Sequence, residues 1–341
     1  MFNVNYRAYG FLLSSSFPIA ALNPLPRNSA GAEIEIRIGE TPLWATRALA
    51  HPAVILPTGR SRGLPNGQFS LAERGPDYFE LKYGDETRFI VDRAGRQVWG
   101  EPGRGLTDED ALVYLLGPVM GFVLRRRNCF ALHASAVSVG NAAIAMVGPA
   151  GSGKSTTAAA LALRGWPVLC EDVCRIEGSE LGFHAYPGYP RVCLWPDSVG
   201  FLYPSSDALP LIVNGWEKRY LPLDGMNAKF ADAFLPLAGI YLLGARNNSV
   251  SGIDVRPMTP REAALELVQN TYMNWLIDRD QRAAEFDAIA KLVLTAPCFR
   301  VTPSSDPAHL GEMAAQIEAH ALARGSHERL QAGPETASYD V

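Results

Sequence analysis

The sequence is poor in charge, and its few cysteines follow no recognisable pattern. Charged residues make up 19% of the 341 residues and the formal net charge is −4, so nothing in the composition indicates nucleic-acid binding. The five cysteines are an odd number without a CxxC pair or a zinc-like spacing, and we interpret them as buried small hydrophobic residues. These features argue against a zinc module or a disulfide scaffold, and they favour a reducing cytoplasm.

Long apolar runs are also absent. Apart from the N-terminus, the longest one spans residues 112–124, well short of the roughly 20 residues that cross a bilayer. The early apolar stretch, residues 9–22, is interrupted by three serines and Pro18, so we interpret it as a strand and a loop instead of a secretion signal. We therefore expect no membrane partner and a cytoplasmic protein.

Residues 1–105 predict a β-rich N-terminal domain, because short alternating runs are separated by turn residues. The clearest run is 33–38, and three later runs indicate a meander: residues 78–83, 88–92 and 97–99. Residues 57–67 are expected to form an exposed loop.

A helix is predicted from Thr107 to Leu124. Thr107 is followed by three acidic residues, which favour the positive end of a helix dipole. We place the domain boundary just before this helix, so that a second domain spans residues 106–325. Residues 326–341 are then a polar tail without regular structure.

From residue 130 onward, strand-like and helix-like runs alternate, which is typical of an α/β domain. The strand-like runs are residues 131–139, 142–147, 168–169, 173–176 and 237–243. The helix-like runs are residues 154–164, 261–277 and 307–324.

The strongest signal is a complete G-x-x-x-x-G-K-S element at residues 148–155, between an apolar strand and an Ala-rich helix. In such a loop the backbone N–H groups face nucleotide phosphates, Lys154 neutralises the β and γ phosphates, and Ser155 offers its hydroxyl to Mg²⁺. The sequence therefore predicts a site for ATP and Mg²⁺ built from Gly148, Pro149, Ala150, Gly151, Ser152, Gly153, Lys154, Ser155 and Thr156.

Two further features lie near this loop in the sequence. His133 is on the preceding strand-like run, and a lone histidine on an apolar segment is more often a satisfied core residue. Glu171 and Asp172 follow a short buried strand, at the kind of strand end where α/β sheets bind ligands. One carboxylate could hold Mg²⁺ while the other takes the proton of an attacking hydroxyl, and the residues alone do not say which.

These segments resemble the C-terminal catalytic domain of HPr serine kinase/phosphorylase and its kinase-like branch. The resemblance is carried by residues 132–136, the glycine-rich element and residues 169–172, and it covers about residues 130–180. Looser similarity extends to residues 6–10, 189–198 and 217–220. It implies a phosphate-binding-loop kinase domain of that type, preceded by the smaller β-rich domain.

The resemblance also implies roles for single residues. Glu171 would be the general base on a substrate serine, His133 would support that base, and Asp172 would bind the metal together with Ser155. The family more often has Asp where this sequence has Glu171, which shifts the carboxylate by about one methylene. Cations in a Pro-rich apolar region are candidate clamps on the transferred phosphoryl group, namely Arg191, Lys218 and Arg219.

The acceptor is less defined. The glycine-rich signature that accompanies HPr binding in the authentic enzymes is missing, so HPr is not the preferred substrate. Members of the kinase-like branch occur with the machinery for ribosomally made peptides, including lasso peptides. We therefore expect a serine kinase that acts on such a peptide or on a small protein. The alternatives are a nucleotide-dependent peptide-remodelling ATPase and a small-molecule hydroxyl kinase. The resemblance further suggests a homo-oligomer.

Overall fold

The chain folds into a mixed α/β structure with two large sheets and one small one. The computed structural model describes residues 3–26, 31–58, 69–180, 182–213, 216–226, 228–247, 253–304 and 306–331. The first large sheet has eight strands: β1 (Val4–Ala8), β2 (Phe11–Ser15), β3 (Ile34–Ile38), β4 (Ala53–Leu56), β5 (Phe69–Arg74), β6 (Tyr78–Tyr83), β7 (Arg88–Asp92) and β8 (Gln97–Glu101).

The first sheet runs in the order β1-β2-β3-β8-β7-β6-β5-β4. Strands β5 to β8 are joined antiparallel to their neighbours, which confirms the predicted meander. In β3, Ile34, Ile36 and Ile38 are buried while the intervening charged residues are not, because side chains alternate between the faces of a strand. Helix α1 (Leu43–Ala50) covers Trp99 on one face of the sheet.

The other face packs against an irregular helical segment. It consists of α2 (Asp108–Tyr114), a π-helical turn (Leu115–Val119) and α3 (Met120–Arg126). Thr107 accepts a hydrogen bond from the backbone of Asp110 and Asp110 returns one, so the predicted helix start is confirmed as a capping box. The π turn, which contains Pro118, was not predicted.

The second large sheet carries eight strands: β9 (Ala131–Val139), β10 (Ala142–Val147), β11 (Val168–Cys170), β12 (Val173–Ser179), β13 (Gly182–Ala185), β16 (Leu235–Leu243), β17 (Ile253–Pro257) and β18 (Cys298–Pro303). Strand β9 pairs with β10, β11 and β12, and β10 and β13 both pair with β16. The pairings β9-β10-β16-β13-β12 thus close into a ring. A separate hairpin is formed by β14 (Arg191–Leu194) and β15 (Arg219–Pro222).

Five helices surround the second sheet: α4 (Lys154–Leu163), α5 (Pro196–Leu202), α6 (Pro260–Gln269), α7 (Arg279–Thr295) and α8 (Leu310–Gln331). Apolar residues of α4 and α8 share one core with the strands, and those of α6 and α7 share another. Within the described chain, none of the helices combines the length and the apolar character that a membrane span needs.

Two expectations differ from the structure, and a third is largely untested. The predicted helix 261–277 ends at Gln269, and a non-helical segment follows it. Helix α8 extends to Gln331, so residues 326–331 of the predicted tail are helical, while 332–341 lie outside the described residues. Most of the predicted loop 57–67 also lies outside them.

The junction between the two halves makes Gly121 a sensitive position. A Cβ at Gly121 in α3 would overlap the ring of buried Tyr272, whereas a Cβ at Gly311 in α8 has nothing within 4 Å. We expect Gly121→Ala to lower the free energy of unfolding by about 1–3 kcal/mol through overpacking, although alanine favours helices. Gly311→Ala should be neutral or slightly stabilising in the same denaturant titration. Equal effects of the two substitutions would contradict this packing.

Candidate active site

The loop between β10 and α4, residues 148–153, is shaped by glycines. Gly148 and Gly153 have φ values of 156° and 100°, which a side chain disfavours. A Cβ at Gly148 would also lie 2.7 Å from the carbonyl oxygen of Leu243 and 2.8 Å from Ser152 Oγ. The backbone therefore wraps tightly at the N-terminus of α4, where four N–H groups have no partner inside the helix.

Lys154 and Ser152 line the inside of this loop. Lys154 Nζ donates hydrogen bonds to the carbonyl oxygens of Gly148 (2.8 Å) and Pro149 (3.1 Å) and is only 5% exposed. Burial lowers the pKa of Lys154, against the opposing charges of Asp172 and Glu171. Ser152 Oγ is buried and finds no hydrogen-bond partner among the described residues.

Ser155, one residue further on, contacts the first of the two acids. Its hydroxyl donates a 2.6 Å hydrogen bond to Glu171 Oε1. Glu171 is 4% exposed, and burial raises the pKa of its carboxyl above the usual value, helped by Asp172. Lys218 and the hydrogen bond from Ser155 act in the opposite direction.

Asp172 lies in a strained turn, and its side chain contacts His133 instead of Ser155. Its φ is 65°, and the N–H of Val173 bonds to the carbonyl of Glu171 at 2.8 Å, which closes the rare form of the three-residue γ-turn. Strained turns of this kind cluster at functional sites.

The second acid is paired with His133. Strand β9 pairs with β12 so that His133 lies opposite Val173, and His133 Nε2 lies 3.1 Å from Asp172 Oδ1. Burial raises the pKa of Asp172, but His133, Lys218 and Lys154 outweigh this and lower it to about 2. The sequence-based assignment placed His133 behind Glu171, whereas the structure places it against Asp172.

A segment that was predicted to be helical, residues 270–277, covers His133. Its backbone is tied to the start of β9, since Tyr272 N–H donates to Ala131 O and Thr271 bridges Leu132. The ring of Tyr272 meets that of His133 edge-on, with 6.2 Å between centroids. Met273 has a left-handed φ of 47°, so this segment is also strained.

The three predicted clamp residues separate in the structure. Lys218 Nζ lies between the rings of Trp195 and Trp216, at 5.6 and 5.7 Å from their centroids, and faces the acids. Arg191 stacks over Tyr220, and Arg219 donates to Leu209 O. Among the described residues that line the site, Lys218 is included and both arginines are absent.

Arg246 was not predicted from the sequence. It follows the end of β16, is exposed, and its Nη2 lies 3.8 Å from where a Cβ on Gly153 would be. A cation directly after a buried strand that pairs parallel with β10 is the signal that could have identified it.

One cavity of 720 Å³ is lined by His133, Lys154, Ser155, Glu171, Asp172, Lys218 and Arg246, whereas Ser152, Arg191 and Arg219 are not part of its lining. The first sheet and the π turn contribute part of its wall through Phe69, Tyr83 and Pro118. The cavity therefore lies where the two halves of the structure meet, and its size is that of a small-molecule site.

The residues fit a nucleoside triphosphate with Mg²⁺. The glycine loop and Lys154 suit phosphate oxygens. Ser155 and Glu171 offer the hard oxygen ligands that Mg²⁺ prefers. No group of three or more His, Cys, Asp or Glu in the described chain could hold a metal ion, so this ion would need phosphate or water oxygens as well.

Comparisons with known proteins add little. No model of a protein family and no curated protein matches this sequence. Among solved structures, the Hpr(Ser) kinase/phosphatase from Coxiella burnetii aligns with 59% of this chain and 98% of its own, at 12% identity and a TM-score of 0.31.

Because the pKa values of Glu171 and Asp172 are shifted in opposite directions, the two acids should affect the pH dependence of the free energy of unfolding differently. Because the pKa of Glu171 is raised in the folded state, its contribution to the free energy of unfolding falls as the pH rises from 4.5 through the folded-state pKa. Without nucleotide, we expect Glu171→Gln to gain stability relative to wild type between pH 5 and pH 8, measured by denaturant unfolding.

Asp172→Asn is the matched control. Because its pKa is lowered, Asp172 contributes its full stabilisation of the folded state above pH 3.8. This contribution is lost only as the pH falls through about 2. Asp172→Asn should therefore lose roughly 1 kcal/mol, discounted because the side chain is 37% exposed, and equally at pH 5 and pH 8. A pH-independent difference for Glu171→Gln would contradict the burial argument.

Proposed function

We propose that this chain is an ATP-dependent kinase that transfers a phosphoryl group to a hydroxyl. The observation that carries the proposal is the arrangement of two adjacent carboxylates beside a glycine loop and Lys154, one bonded to Ser155 and the other to His133. Phosphoryl transfer needs positioning and charge neutralisation more than covalent chemistry, and this site supplies both.

Ser155 and Glu171 are the proposed holders of Mg²⁺. Their hydrogen bond places both oxygens at the start of α4, beside the glycine loop. When bound, Mg²⁺ would neutralise charge on the phosphate oxygens. Lys154 leaves the loop carbonyls to bind phosphate, and Lys218 and Arg246 add positive charge to the same cavity.

Asp172 is the proposed partner of the acceptor hydroxyl. It lines the cavity as an ionised carboxylate at neutral pH, held by His133. Its low pKa makes it a weak base, so its main effect is to orient the hydroxyl and receive the proton late in the transfer. This assignment exchanges the roles that the family resemblance gives to Glu171 and Asp172.

The acceptor is proposed to be a serine of a peptide or small protein, with a ribosomally made lasso precursor as one form. Strand β4 lies at one edge of the first sheet, and its residues Val54 and Ile55 are 57% and 65% exposed. An exposed apolar edge strand suits the capture of a peptide by strand addition. The cavity suits a small hydroxyl compound as well. Cytoplasmic location and a homo-oligomer remain predictions.

The exchanged roles give the test. Asp172→Asn should lower kcat by about 10²- to 10⁴-fold and leave the Mg²⁺ concentration for half-maximal activity unchanged. Glu171→Gln should raise that Mg²⁺ concentration by about tenfold or more, because it removes a charged ligand. Each isosteric variant controls for the other in steady-state assays with varied Mg²⁺. The reverse pattern would restore Glu171 as the base.

A second test concerns the cations. Arg246→Met should lower kcat/KM for ATP by about 10- to 100-fold, since hydrogen bonds to charged groups contribute about 1.5–3 kcal/mol. Arg191→Met and Arg256→Met should change it less than about threefold, because Arg191 lies outside the cavity and Arg256 is 78% exposed in a surface ion pair. An effect of Arg191→Met as large as that of Arg246→Met would contradict the assignment of Arg246, and not Arg191, as the arginine that binds the phosphates.

A further inference from the structure

The wall of the cavity is divided by charge. Its described cations, Lys154, Lys218 and Arg246, all lie in the part of the chain that forms the second large sheet and its surroundings, after residue 130. The wall that comes from the first sheet, α2 and the segment after α6 contains no charged residue among those described. Its larger side chains are Phe69, Tyr83, Val113, Tyr272, Met273 and Trp275.

This apolar wall begins beside Asp172. The ring of Tyr272 contacts His133 edge-on, and His133 holds Asp172. From there the wall continues through Trp275, whose ring centroid lies 6.5 Å from that of Phe69, and Phe69 lies 5.4 Å from Tyr83. A molecule whose hydroxyl is oriented by Asp172 therefore finds aromatic rings beside its adjoining group on this side of the cavity.

The wall is fixed before any ligand binds. Backbone hydrogen bonds join the segment after α6 to β9, and the apolar side chains pack into the core shared by the first sheet and α2. A preformed apolar wall lowers the side-chain entropy that the protein loses when a ligand binds. It also disfavours a charged group, because an unpaired charge buried there loses its hydration.

We propose that the acceptor is an uncharged hydroxyl compound with a large apolar or aromatic group next to the hydroxyl. The inference rests on the proposed kinase activity and specifies its substrate class. In the reaction the acceptor oxygen forms a bond to the γ-phosphorus of ATP while the bond to the bridging oxygen breaks. The hydroxyl proton passes to Asp172 and then to solvent, and ADP and a phosphate monoester leave.

The experiment compares two matched pairs of acceptors with ATP and Mg²⁺. The peptides are acetyl-Phe-Ser-Leu-amide and acetyl-Glu-Ser-Asp-amide, and the small molecules are 3-phenylpropan-1-ol and glycerol. We expect the apolar member of a pair to have a kcat/KM about 10- to 100-fold higher for ester formation. Activity with the peptide alone identifies a peptide source of this chemistry, and activity with the alcohol alone identifies a metabolite source.

Two variants connect the preference with the wall. Trp275→Ala should reduce the apolar preference about tenfold, and Trp275→Lys should raise the rate with the acidic peptide, which mere unfolding cannot do. Phe286→Ala, an aromatic on α7 that is 56% exposed, is the matched control and should change nothing.

The outcomes separate the two proposals. Equal rates for the acidic and apolar peptides, or a preference unaffected by Trp275, would overturn the inference about the acceptor while the kinase assignment stands. ADP formation that requires Lys154 but yields no ester with any acceptor would overturn the kinase assignment, and the acceptor inference with it.

Discussion

The site depends on one backbone constraint, the left-handed turn at Asp172. Two neighbouring carboxylates beside a phosphate-binding loop repel each other, and an extended strand would direct them to opposite faces of the sheet. The turn instead keeps both in one cavity and gives each its own partner, Ser155 for Glu171 and His133 for Asp172. Their pKa values are thereby shifted in opposite directions, as expected where two similar groups have different tasks.

The surrounding fold holds this turn from both sides. Pairing of β9 with β12 fixes His133 opposite the residue after Asp172, and the segment after α6 bonds to the same strand. The first half of the chain contributes a second support, since Tyr9 O–H donates to Leu116 O and Tyr9 N–H to Pro187 O. A π turn with Pro118 lines the cavity at this junction, and such turns are frequent at functional sites.

The sequence predicted those features that depend on residues close together along the chain. The meander, strand β10 before the glycine loop and helix α4 after it could all be predicted in this way. The contact of His133 was not, because it depends on the register of two strands about forty residues apart. The aromatic segment 270–277 resembled a helix only in composition. Lys218 reaches the cavity while Arg219 does not, since neighbouring residues of an extended segment point in different directions.

The proposed function requires that the γ-phosphoryl group leave ATP for a hydroxyl of an acceptor. ³¹P NMR of two reactions with ATP and Mg²⁺, one with acetyl-Phe-Ser-Leu-amide and one with 3-phenylpropan-1-ol, quantifies every phosphorus-containing product and so tests this transfer directly. We expect one phosphate monoester for each ADP with at least one of the two acceptors, and little ADP when the acceptor is left out. Inorganic phosphate in place of the ester in both reactions, at a rate that neither acceptor changes, would contradict the transfer.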